Sequence, residues 1–118
     1  MNLFALVKQS PDCAALLGEG VTRFFEFGTA PQLETLPYAT WQQTGGDTFN
    51  QLAGPAEADH VTLQIDVWAE TPSAARSITD AIRRAIEGAG YITFMQQGRD
   101  EASSLYRSTF HFQYIDVR

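Results

Sequence analysis

The chain has 118 residues, a single cysteine, and 14 acidic against 8 basic side chains, for a formal net charge of -6. This length fits one domain that can bury a core without disulfides or a structural metal. A negative surface repels phosphate backbones, so the composition argues against a protein that binds nucleic acid tightly through charge.

No basic segment with an apolar run and a cleavage site opens the sequence, and no apolar stretch reaches the roughly 20 residues that cross a bilayer. We therefore expect a protein of the producing cell's cytoplasm with no membrane role.

Two short helices are predicted at the start of the chain. Residues 2–9 carry apolar side chains at helical spacing, and Ser10 followed by Pro11 is typical of the start of a second helix over 11–17. Cys13 is expected to point into the junction as a small apolar group. The alternative is a reactive thiol, because a helix amino terminus can lower a thiol pKa.

Strands are predicted next at 21–27 and 37–43, both rich in aromatic and β-branched residues. Between the second of these and the following strand, residues 44–59 contain glycines, a proline and small polar residues, which predicts a long flexible loop. Phe49 and Leu52 are the large apolar residues of this loop. They either fold back on the domain or become ordered against a partner.

The centre of the chain joins a strand to a helix. Residues 61–69 have apolar side chains at every odd position, which predicts a strand with one buried face. Thr71 is suited to cap a helix over 72–87, whose apolar residues recur on one face. Gly88 or Gly90 is expected to end that helix in a left-handed conformation.

A hairpin closes the chain, with strands at 91–97 and 105–117 around a polar turn. The sum is an α+β fold: one two-layer domain over 1–118, with a mainly antiparallel sheet of about five strands, one long helix across one face and short amino-terminal helices.

We find no motif of a catalytic, cofactor or metal site. The two histidines, His60 and His111, have no carboxylate at the spacing that would orient them for acid-base chemistry. Asp66 and Asp116 lie on the polar faces of strands, so we expect them to be solvated or paired with arginines.

Trp68 is the one large aromatic residue on the polar face of the central strand. A large indole there is expected to be covered, either by a second element of the same chain, such as the amino-terminal helix, or by a neighbouring subunit.

The segment QIDVWAETPSAA, the alanine- and isoleucine-rich helix that runs on to Gly88, and LPYATW at the start of a strand together resemble one family. It is that of the tail-completion proteins of long-tailed phages, also called tail-terminator or head-tail joining proteins. The resemblance covers most of residues 3–116.

This resemblance implies a structural virion protein without enzymatic activity or cofactor. It implies a six-fold ring of copies at the head-proximal end of the tail tube, assembled in the cytoplasm of the host bacterium. The implied partners are the tail tube protein and a neck or head-completion protein, while DNA passes through the ring without specific binding.

The predicted contact residues are Phe49 and Leu52, in a loop that meets the tube or the neck, and Trp68. Two other functions remain open from the residues alone. One is a small-molecule binding module or enzyme with a pocket lined by the aromatic face of the last strand. The other is an accessory protein that binds a host protein. The pocket residues would be Tyr106, Phe110, Phe112 and Tyr114.

Overall fold

A computed structural model describes residues 3–18, 22–26, 36–51, 54–101 and 103–117, and at 45–51, 54–60, 94 and 116–117 it describes the backbone alone. The elements are α1 (Leu3–Gln9), α2 (Pro11–Leu17), β1 (Phe24–Glu26), β2 (Tyr38–Gln51), β3 (Gly54–Ala69), α3 (Pro72–Ile86), a 3-10 turn (Glu87–Ala89), β4 (Tyr91–Asp100) and β5 (Leu105–Val117).

The described strands form one sheet in the order β1-β2-β3-β5-β4. Its pairs are antiparallel except that β1 runs parallel to β2. Helix α3 contacts β3 and β5, and α1 and α2 contact α3. The helices therefore form one layer on one face of the sheet, which confirms the α+β prediction.

The alternation of apolar and polar side chains in β3 determines which face of the sheet forms the core. Its odd positions from Val61 to Ala69 are buried beneath the helices. Phe110 and Phe112 of β5 lie opposite Ile65 and Leu63, on the same face, and are fully buried. Burying each such side chain contributes about 1.5–3 kcal/mol, so this face of β3 and β5 is the main source of hydrophobic stabilisation.

Both predicted helix starts are confirmed. The backbone N–H of Cys13 donates to Oγ of Ser10 at 3.3 Å, and the N–H of Ala74 donates to Oγ1 of Thr71 at 3.1 Å. Proline occupies the first turn of each helix, where its missing N–H costs no hydrogen bond. The helix boundaries thus follow from local side-chain chemistry.

The predicted left-handed end of α3 is wrong. Its cap residue Glu87 has a right-handed helical conformation, and Gly90 is extended, with φ -177°. A Cβ at Gly90 would lie 2.2 Å from the carbonyl oxygen of Gln113, whereas one at Gly88 would meet no atom within 4 Å. Gly90 is thus required for a close approach of two backbones.

The predicted loop over 44–59 is also wrong, because in the described part of this segment the backbone forms the far ends of β2 and β3. Phe49 is paired with Ala58, and the register shifts between Gln43 and Gly45. Glycine at such an irregularity is compatible with a strand, because a bulge favours a residue without a side chain. These residues form a strand through backbone pairing with β3, although their side chains do not alternate. β3 is in turn held by β5 on its other side.

Strand β1 is shorter than the predicted strand over 21–27, whose ends lie outside the described residues. Phe24 is 2 % exposed and joins the core, while Phe25 lies on the opposite face beside Tyr38. The two adjacent phenylalanines therefore lie on opposite faces of the sheet.

Candidate interaction surface

The sheet face opposite the helices is the candidate interaction surface, which we call the open face. All the described helices lie on the other side of the sheet. Because side chains alternate along a strand, the even positions of β2 from Tyr38 to Gln42, the even positions of β3 that pair with them and the odd positions of β5 share this face. The register arranges them in rows that cross the strands.

The first row is aromatic and cationic. Trp68 of β3 lies directly between Tyr38 of β2 and Arg107 of β5. The Trp68 and Tyr38 ring centroids are 6.5 Å apart at an interplanar angle of 24°. The Arg107 guanidinium carbon lies 5.5 Å from the centroid of the Trp68 ring. This geometry holds the indole in place by stacking and by a cation-π contact.

Phe25 extends the row onto β1, its ring centroid 6.5 Å from that of Tyr38. Trp68 therefore belongs to an aromatic cluster on the open face, half-buried by side chains of its own sheet. The same-chain cover that was expected comes from Tyr38 of β2 and Arg107 of β5, and not from the amino-terminal helix, because α1 and α2 lie in the helical layer on the other face. Contact of Trp68 with a neighbouring subunit stays a prediction.

The second row centres on Asp66, a carboxylate that is 8 % exposed. Oγ1 of Thr109 donates to Oδ1 of Asp66 at 2.5 Å, and Nε2 of Gln64 donates to Oδ2 at 3.0 Å. Asp66 was expected to be solvated or paired with an arginine. It instead accepts from two neutral donors, Thr109 of the neighbouring strand β5 and Gln64 two residues earlier in β3 itself. The side chain of Asp116 is not among those described.

The buried thiol of Cys13 behaves as a small apolar group. Burial raises the pKa of Cys13 above its ordinary value of 9.0, with a smaller effect in the same direction from Asp12. The hydrogen bond from Ser10 and the charge of Arg84 act the other way but are outweighed. A thiol held protonated is a poor nucleophile, so the reactive alternative receives no support.

The aromatic pocket predicted on the last strand does not form. Phe110 and Phe112 are fully buried and fill the core instead of lining a cavity. Tyr106 borders a shallow depression of about 220 Å³ with Pro72 and Gln97, at the amino-terminal end of α3. The rings share one face as predicted, but α3 covers that face.

A family model described as "Tail completion protein gp17" matches residues 1–115. The chain belongs to this family of phage tail-completion proteins. Its fold is similar to that of a chain in a solved structure titled "Virion of native gene transfer agent (GTA) particle". That match has a TM-score of 0.77 and 16% sequence identity, and it covers 98% of this chain and 92% of the other. No curated protein matches the chain.

Family membership confirms the resemblance seen in the sequence and identifies a structural protein of the virion tail, not an enzyme. Among the residues described, no three or more histidine, cysteine, aspartate or glutamate side chains gather in a way that would hold a metal ion. None of the helices in those same ranges is long and apolar enough to span a membrane.

For this tail-completion protein, sequence reasoning identified Trp68 but missed its neighbours Tyr38 and Arg107. The sequence indicates only that Tyr38 and Arg107 lie on the polar faces of their strands. Their proximity depends on the register of three strands. The side chain of Phe49 and all of Leu52 lie outside the described residues, so their predicted contacts remain predictions.

Proposed function

We propose that this tail-completion protein closes the head-proximal end of the tail tube as a six-fold ring and joins the tail to the head. Family membership carries the proposal, because it assigns the chain to the completion step of the tail. The open face supports it: a sheet face with clustered aromatic side chains is a surface suited to another protein, since aromatic residues are enriched in interface cores.

The partners in this proposal are further copies of the chain, the tail tube protein and a neck or head-completion protein. Closed rotational symmetry uses two different patches of one chain, so each copy contributes complementary surfaces to its two neighbours. The hairpin of β2 and β3 is proposed to contact the tube or the neck through Phe49 and Leu52, and Trp68 is proposed to contact a neighbouring protein.

The charge pattern suits a ring through which DNA moves. The chain has no lysine or arginine between Arg23 and Arg76, while this interval contains 7 acidic residues. Acidic side chains do not bind the DNA phosphates, so no counterions are released and this source of attraction is absent. DNA would then slide past this part of the chain without binding. Charge-reversing substitutions at acidic positions of β2 and β3 would then retard DNA passage.

Deletion of the gene in the producing phage tests the central proposal. We expect full heads and separate tails, with tubes that exceed their normal length, and restoration by the intact gene supplied in trans. Electron microscopy of the particles measures both. Normal joined particles without the protein would contradict the function. In restored particles, the symmetry of the density at the top of the tail tests the six-fold ring.

Removing residues 49–53 and rejoining the strands tests the hairpin. We expect a folded domain that fails to join heads to tails. Circular dichroism and thermal unfolding of the purified variant serve as the folding control, and full joining by a folded variant would refute the hairpin's role.

A further inference from the structure

The outer edge of β4 is a long edge of the sheet without a partner strand in the described part of the chain. The strand runs for 10 residues, from Tyr91 to Asp100, and pairs with β5 on its inner side. No strand in the described part of the chain pairs with its outer side. Tyr91 is 58% exposed and Met95 42%. Natural proteins usually shorten, charge or cover such an edge, because its free backbone groups recruit another strand.

The opposite edge of the same sheet is partly blocked. β1 pairs with β2 only from Ala39 to Trp41. From Gln42 to Gln51 the outer side of β2 has no partner among the described strands, a length of 10 residues. The two free edges therefore match in length.

The two sides of the sheet also differ in charge. β1, β2 and β3 contain 5 acidic residues and neither lysine nor arginine. On the other side, α3, β4 and β5 contain 5 arginines against 3 aspartates. At the free edges themselves, residues 42–51 carry only the acidic Asp47, while β4 carries Arg99 beside Asp100, so contact between the unlike edges brings an arginine toward an acidic edge. The acidic set is Glu26, Asp47, Glu57, Asp59 and Asp66; the arginines are Arg76, Arg83, Arg84, Arg99 and Arg107.

We propose that β4 of one copy pairs with the Gln42–Gln51 edge of β2 in the next copy, so that the sheet continues from subunit to subunit. This inference rests on the proposed ring and names its subunit interface. Within one chain β4 runs antiparallel to β2. Rotation about an axis along the strands preserves their direction, so the intersubunit pair is antiparallel as well. Backbone hydrogen bonds supply the contact, as in other cases of strand addition.

Closure of the ring explains why both edges are free in one chain. A head-to-tail contact occupies one edge of each kind per subunit and leaves none exposed once the ring closes. A two-fold contact between two β4 strands would instead stop at a dimer and leave the free edge of β2 exposed.

Paired cysteines test the interface. Gln43 and Gln97 are exposed, and Cys13 is fully buried, so the wild-type chain gives the thiol background. We would make Gln43→Cys, Gln97→Cys and the double variant, and treat purified virions containing each with a thiol cross-linker short enough to bridge adjacent strands. The double variant should give a ladder of linked multimers on denaturing gels, while each single variant stays monomeric.

A matched control is Gln43→Cys combined with Ser77→Cys, which moves the second thiol to the exposed side of α3 and should give no ladder. Linked dimers from Gln97→Cys alone would overturn the proposal in favour of a two-fold β4 contact. Absence of a ladder from the double variant in intact, joined particles would overturn the interface while leaving the ring in place. Failure of the ring itself would be seen separately, as a lack of six-fold density at the top of the tail.

Discussion

Thr109 in β5 donates its hydroxyl hydrogen to the carboxylate of Asp66 in β3 across 2.5 Å, joining residues 43 apart in sequence. Both side chains are buried, at 6% and 8% exposure, although no described helix covers their face. A buried carboxylate without its donors would carry a large desolvation cost. The pair therefore locks the register of the two central strands from the open side.

Thr109→Val removes this donor and keeps the shape of the side chain. We expect the free energy of unfolding to fall by about 1.5–3 kcal/mol, the range for a hydrogen bond to a charged group. Urea unfolding followed by circular dichroism measures it. Thr93→Val, at an exposed position of β4, is the matched control and should change stability by less than about 0.5 kcal/mol. Equal effects of the two substitutions would show that the hydroxyl of Thr109 does not matter.

Trp68→Ala removes the ring that stacks on Tyr38 and lies beneath Arg107. The aromatic and cation-π contacts together predict a loss of about 1–2.5 kcal/mol in unfolding free energy, which a domain of ordinary stability tolerates. If Trp68 also contacts a neighbouring virion protein, the folded variant should enter particles poorly. Quantitative immunoblotting of purified virions measures this.

Phe4→Ala is the control for that experiment, because it removes an exposed aromatic side chain from the helical layer and leaves the open face intact. Normal incorporation of a folded Trp68→Ala protein would refute the predicted contact. Reduced incorporation of both variants would point to stability as the cause.

Gly90→Ala places a methyl group against the backbone of β5, 2.2 Å from the carbonyl oxygen of Gln113. Backbone atoms cannot rotate away, so the start of β4 must shift, and we expect a loss of about 1–3 kcal/mol, the usual cost of overpacking. Gly88→Ala, two residues earlier, meets no atom within 4 Å and should be close to neutral. Thermal unfolding of the two variants compares them directly, and equal melting temperatures would contradict the close approach.

Because Cys13 is buried, we expect the stability of the protein to depend on pH in the alkaline range. Burial raises its thiol pKa above the ordinary 9.0, so the unfolded chain loses this proton first as the pH rises. The stability contributed by the protonated thiol is therefore present below that value and is lost above it. In Cys13→Ala this contribution is absent, although a cavity lowers stability at every pH.

The gap in unfolding free energy between the wild-type protein and Cys13→Ala should thus narrow as the pH rises above the ordinary thiol pKa of 9.0. Denaturant titrations at several pH values measure the gap. A gap that stays constant through this rise in pH would mean that the folded state does not hold the proton.

The sequence by itself determined the elements whose signals are local. Thr71 and Pro72 set the start of α3, and the alternation from Val61 to Ala69 marked a strand with one buried face, because caps and periodicity act within a few residues. The order of elements and the α+β class followed. The resemblance that identified the family also came from this continuous stretch.

Only the tertiary structure decided what depends on strand register. The glycine-rich residues 44–51 show no alternation, and they form a strand because β3 offers backbone partners along their length. Likewise, Trp68 meets Arg107, and Asp66 meets Thr109, only after β3 and β5 pair. Such contacts join residues about forty positions apart, and local propensity carries no information on which strand edges meet.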